Sequence, residues 1–126
     1  MSTDAALRRA ADACVRELID SLNLIVVSEL SDGDASRLHD GLASDIGAAA
    51  PELHAEAIAA GDAEGAAGAA VDLTRLLLFS ACQRARLPHA QSARIRAFFA
   101  DAASNNFEQL TGVAADAMSE RGSTAS

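Results

Sequence analysis

Tryptophan, tyrosine and lysine are absent from this chain of 126 residues, and four phenylalanines make up its whole aromatic complement. An aromatic-lined ligand pocket is therefore not expected, and closely packed helices are. Strand signals are nearly absent too. The one β-branched cluster, Ile25-Val26-Val27, sits inside a longer helical pattern, where context overrides local preference. Cysteine is scarce: Cys14 and Cys82 lie 68 residues apart with no CxxC spacing. That spacing fits two buried free thiols in a reducing compartment, although a bridge between two helices is left open. The first residues, MSTDAALRRAADAC, hold no apolar signal-peptide core, and no apolar run looks long enough to span a membrane. A soluble cytoplasmic protein is expected.

What is abundant is alanine, with 31 residues. Alanine is the best helix former and a poor core filler. The length suits one domain with a real core. The formal net charge is −8, which argues against a nucleic-acid partner, since phosphate backbones require a basic face.

Apolar spacing predicts helices throughout. Leu7, Ala11, Cys14, Leu18, Leu22 and Ile25 follow one face of a first helix from about Thr3 to Leu30, widened by Val15, Ile19 and Val26. Ser31-Asp32-Gly33-Asp34 reads as a turn with Ser31 at a capping position. A second helix is expected over 34–49, with Leu38, Leu42 and Ile46 as its stripe. Pro51 suits the first position of a third helix over 51–60. Gly61 reads as that helix's stop and Asp62 as the next N-cap. The run 71–87, with Leu73, Leu76, Leu77, Leu78 and Phe79 apolar on several sides, is the expected central helix, ended by Pro88. The last helical region, 89–120, has one stripe of Ile95, Phe98, Phe99 and Ala102, another of Phe107, Leu110, Val113 and Ala117, and Ser104-Asn105-Asn106 as a candidate break. The reading is all-α: a single-domain antiparallel bundle of five to seven helices over 1–121, with a disordered tail at 122–126.

Motifs for chemistry are few. His39, His54 and His89 fall on different helices, near Asp40, Glu52 and Glu56, with no pair at metal-binding spacing. No metal or cofactor is assigned. The chain has no nucleophile elbow, no phosphate-cradling loop and no HExxH. Charge is more informative. From Leu73 to Ala100 there is no Asp or Glu, yet the segment carries Arg75, Arg84, Arg86, Arg94 and Arg96. Arg75, Phe79, Cys82 and Arg86 are spaced to share one helix face. Arginine forks match carboxylates and phosphates. Arg75, Phe79, Arg84 and Arg86 are thus the candidate site for an anionic small molecule. The plainer reading, salt bridges to the acidic remainder or to a second subunit, stands beside it.

Several strings also resemble one family. Leu7-Arg8-Arg9-Ala10-Ala11-Asp12-Ala13, Val27-Ser28-Glu29-Leu30-Ser31-Asp32-Gly33-Asp34, Ala57-Ile58-Ala59-Ala60-Gly61-Asp62-Ala63-Glu64 and Asp72-Leu73-Thr74-Arg75-Leu76-Leu77 are similar to parts of the FCD ligand-binding domain of GntR-type transcription regulators. The likeness covers about the first two-thirds of the chain. That family's central helix carries an Asp followed by Phe-His that helps hold a metal. Here Asp72 is present without the His, and the winged helix-turn-helix domain is missing. The resemblance implies a stand-alone sensor or dimerisation module. The expected function is a non-catalytic small-molecule-binding or regulatory module. The alternatives are an interaction protein that forms a homodimer or binds a partner helix, and a small helical-bundle enzyme.

Overall fold

The computed structural model describes residues 3–124 and contains five helices: α1 (Thr3–Glu29), α2 (Asp32–Ala60), α3 (Ala63–Arg84), α4 (His89–Asn105) and α5 (Phe107–Thr124). No strand occurs among the described residues. The all-α bundle read from the apolar periodicity is what the chain forms. The tail expected at 122–126 overlaps α5 as far as Thr124; residues 125 and 126 lie outside the described residues.

The caps explain where the helices begin and end. Ser31 accepts a hydrogen bond from the Asp34 amide and opens α2. Gly61, at φ 82°, closes it in the left-handed conformation that glycine adopts without a Cβ clash. Asp62 then caps α3 by accepting from the Gly65 amide at 2.7 Å. The corner is so tight that a Cβ on Gly65 would lie 2.3 Å from the Ala60 Cβ. Asn106 interrupts the last helical region, as its composition suggested, and separates α4 from α5.

Two helix boundaries differ from the expectation. The central helix, α3, already begins at Ala63, capped by Asp62, rather than at 71. Helices over 34–49 and 51–60 are a single helix, α2, with Pro51 inside it. The reason is packing. Ala35, Leu38, Leu42, Leu53 and Ala57 are buried, with Ile46 and Ala49 packed against the core, and together they form one stripe running past Pro51. Burial of that stripe on α1 and α3 outweighs the lost amide and the ring's clash with the carbonyl of Gly47. Sequence spacing marked both halves of the stripe without joining them.

Helix α3 is central and packs against each of the other four helices. Its buried residues are mostly small: Ala66, Ala67, Ala69, Ala70 and Ala81, with Leu73, Leu78 and Cys82 between them. α1 is nearly as embedded and contributes Ala10, Ala11, Cys14, Leu18 and Leu22. By length and composition α3 is apolar enough to cross a membrane, which corrects the expectation that no run reaches that size. In the bundle its apolar length serves as the shared core element.

α4 is the peripheral helix. It rests on α1 and α3, touches α5 little, and has no contact with α2. Its inner face is Ser92, Ile95, Phe99 and Ala103. Gln91 donates to the Glu29 carbonyl at 3.2 Å and Arg94 pairs with the Glu29 carboxylate at 2.8 Å. Both contacts pin the start of α4 to the end of α1.

Pro51→Ala should restore one helical hydrogen bond to the Gly47 carbonyl and remove the ring clash. A gain of about 1–2 kcal/mol is expected after allowing for the more flexible unfolded chain. Thermal melting checks this. A lower melting temperature would show that α2 needs Pro51 to follow the core.

Candidate surface site on the α3–α4 face

The arginines of the acid-free segment go to different places. Arg75 lies on the exposed side of α3 and pairs with Asp72, one turn earlier, at 3.0 Å. Arg84 pairs with Asp45 of α2. Arg94 pairs with Glu29. Arg96 lies over the Phe79 ring, 5.0 Å from its centroid, and its Nε donates to Ser92 Oγ at 3.4 Å. Three of the five arginines are thus held by carboxylates and a fourth by an aromatic face. Partly exposed pairs of this kind contribute little each, about 0–1 kcal/mol.

Arg86 has a different place. It follows α3 in the left-handed conformation, at φ 58°. The Arg86 amide donates to the Gln83 carbonyl at 3.0 Å and the Leu87 amide to the Cys82 carbonyl at 3.3 Å. These are the two bonds of a Schellman helix stop, with Arg86 where glycine usually sits. Arg86 is therefore a helix-end residue.

The face expected to join Arg75, Phe79, Cys82 and Arg86 is split accordingly. Arg75 and Phe79 line an open groove between α3 and α4, with Leu76, Ala93, Arg96, Ala97 and Ala100, of about 480 Å³. One turn further along α3, Cys82 is buried where Ser92 of α4 closes over it. Arg84 lines another groove, between α2 and α3, with Asp45, Ala48, Ala49, Leu77 and Ser80. Arg75 and Phe79 come together; Arg84 and Arg86 do not join them. Arg96 is the missed member of the groove. It was visible in the sequence as part of the acid-free segment, and only the path of α4 brings it to Phe79.

Large apolar side chains also remain outside. Leu24 is 74% exposed, Leu76 67%, Phe98 45% and Phe79 44%. Leu24 and Phe98 line a groove on the α1 side of α4, of about 420 Å³, with Ile25, Ser28, Glu29 and Ala102. Leu76 and Phe79 line the groove on its α3 side. The sequence reading counted Leu76 in a run apolar on several sides and Phe98 in a stripe with Ile95, Phe99 and Ala102. A run such as Leu76-Leu77-Leu78-Phe79 covers every side of a helix, so part of it must face out.

The interior offers little chemistry. Thr74 and Ser92 are the buried polar residues among those described. Thr74 Oγ1 has no hydrogen-bond partner, and none of the grooves described above reaches it. Both cysteines are buried and free, which resolves the pairing left open by their spacing. Burial, with Glu17 nearby, pushes the Cys14 thiol from 9.0 to about 11. Burial also raises Cys82, against opposing effects of the Ser92 hydrogen bond and of Arg96. Neither is a ready thiolate. His54 Nε2 is 2.8 Å from Asp12 and His39 Nδ1 is 2.9 Å from Asn23. Among the described residues no cluster of three potential metal ligands forms. Asp72, the carboxylate singled out by the family resemblance, is exposed and engaged with Arg75. No family model, curated protein or solved structure matches this chain.

Arg86→Gly should relieve the left-handed strain at the end of α3. A stabilisation of about 1 kcal/mol is expected, read as a higher melting temperature with unchanged helicity. A loss of stability would mean that the Arg86 side chain holds the turn by a contact of its own.

Proposed function

We propose that this chain is a non-catalytic interaction module that docks a helix on the outer face of α4. The observation that carries this reading is the placing of Leu24 and Phe98 on one flank of α4 and Leu76 and Phe79 on the other. Leu24 and Leu76 stay largely in water, and Phe79 and Phe98 keep nearly half of their surface there. They are positioned to be covered by something else. A helix lying along α4 would fill both flanking grooves and bury all four.

The anionic-ligand reading keeps a narrower basis. Arg75, Phe79 and Arg96 meet over an apolar groove floor, which suits the head and tail of an amphiphilic carboxylate. Arg75 and Arg96 already have partners, however, and the groove is open to solvent. A protein surface accounts for both flanks of α4, whereas a small acid accounts for one. A dimerisation or sensor module, as the GntR-type resemblance implies, fits the docking reading without a metal.

Photo-cross-linking tests it. A benzophenone amino acid at Leu24, Phe98 or Leu76 should give cross-linked protein products in cells. The same group at Asp40 or Glu56, exposed on α2 away from α4, should give none. Equal products from both sets of positions, or none from the α4 set, would overturn the proposal.

A further inference from the structure

Resting on the docking reading above, we infer that the helix seated on α4 is the α4 of a second copy of this chain, running antiparallel about a two-fold axis near Ala97 and Phe98.

The exposed side of α4 has a self-complementary layout. Ala90, Arg94, Ala97, Phe98, Asp101 and Asn105 are all exposed and follow the 3-4 spacing of one helix face. Arg94 and Asp101 stand two turns apart, on either side of the central Ala97-Phe98 pair. A closed two-fold contact uses the same patch on both copies, so residue i meets j and j meets i. Antiparallel pairing centred between 97 and 98 sets Arg94 opposite Asp101 of the second copy, and Asp101 opposite its Arg94. Parallel pairing would instead set Arg94 on Arg94 and Asp101 on Asp101. Charge therefore selects the antiparallel arrangement. Arg94 already gives its Nε to Glu29, which leaves the terminal nitrogens of its fork for the Asp101 across the axis.

The apolar residues obey the same symmetry. In an antiparallel two-fold pair, each shoulder of a helix meets the same shoulder of its mate. Phe98, half a residue from the axis, meets Phe98 of the second copy, with a Leu24 beside each ring. Offset or edge-on aromatic pairs of this kind add to the area they bury. On the other shoulder, Leu76 and Phe79 of the two copies close over Ala93, Ala97 and Ala100. Ala97 lies at the centre, where a small side chain lets two helices approach to about 8–10 Å. On that shoulder Arg75 stays beside Asp72 and Arg96 over the Phe79 ring, so each cation keeps a partner of its own.

Size sets the strength. α4 has 17 residues and is about 26 Å long. With both shoulders the face is roughly 20 Å wide, about two helix diameters. That gives about 500 Å² per copy and about 1,000 Å² in all, at the low end of specific interfaces. The dimer should form reversibly and come apart on dilution.

Sedimentation of the purified full chain from about 1 μM to about 1 mM tests this. The wild type should move from one chain mass to two. Arg94→Asp and Asp101→Arg should each weaken association by about tenfold or more, because both symmetry-related pairs become like charges. Mixed one to one, these two variants should form a heterodimer of wild-type strength. Their far-UV circular dichroism should match the wild type. Recovery on mixing would itself show that both are folded. Phe98→Glu, which leaves the pairing charges in place, should stay a single chain. A wild type that remains one chain at every concentration, while cross-linking from α4 persists in cells, overturns self-pairing and leaves the docking reading intact. A dimer indifferent to all three substitutions overturns self-pairing through α4. Single variants that fail to recover on mixing overturn the antiparallel register.

Discussion

Close approach of helices at alanine is the constraint on which this bundle depends. α3 can touch α1, α2, α4 and α5 because its buried surface is mostly methyl groups, Ala66, Ala67, Ala69, Ala70 and Ala81. α1 answers with Ala6, Ala10 and Ala11. Small side chains bury little area each, so the fold relies on dispersion across many close contacts rather than on a few large groups. Phe99 is the largest side chain fully buried. Among the described residues Thr74 and Ser92 are the buried polar ones, so the interior offers few groups for chemistry.

The surface follows from the same constraint. Four helices surround α3, and α4, like α2, rests mainly on α1 and α3 with its outer face exposed. Grooves lie on both sides of α4, where its side chains facing α3 and α1 include Ala93, Ala97, Ala100 and Ala102. Four of the five exposed large apolar residues among those described, Leu24, Leu76, Phe79 and Phe98, border them, and Val27 lies elsewhere. Charge is arranged around these grooves. Arg84 and Arg94 settle on carboxylates of α2 and α1, Arg75 on Asp72 within α3 and Arg96 on Phe79, so four of the five arginines of the basic segment have partners in the fold.

Much of this fold was legible in the sequence, and the parts that were not have physical reasons. Caps are local, so Ser31, Gly61, Asp62 and the Asn106 break could be read from residue type alone. Pro51 could not. Whether a proline breaks a helix depends on how strongly the stripe through it is buried, and that is tertiary information. Arg86 was missed for a related reason: a left-handed residue other than glycine is fixed by the turn around it. The candidate site was half legible. Spacing brought Arg75 to Phe79, but which side of a uniformly apolar helix faces water depends on where its neighbours lie. Leu76 and Phe98 therefore read as members of an apolar run and an apolar stripe, and Arg96 did not read as a partner of Phe79.

Self-pairing, as inferred above, would cover Phe98 and Phe79 and leave the interior unchanged. The absence of tryptophan and tyrosine makes fluorine NMR of the four labelled phenylalanines, Phe79, Phe98, Phe99 and Phe107, the most direct measurement. On concentration, the Phe98 and Phe79 signals should shift together while that of buried Phe99 stays fixed. Signals that all stay fixed would contradict self-pairing through α4, and a Phe99 signal that moves while those of Phe79 and Phe98 do not would contradict a contact on the α4 face.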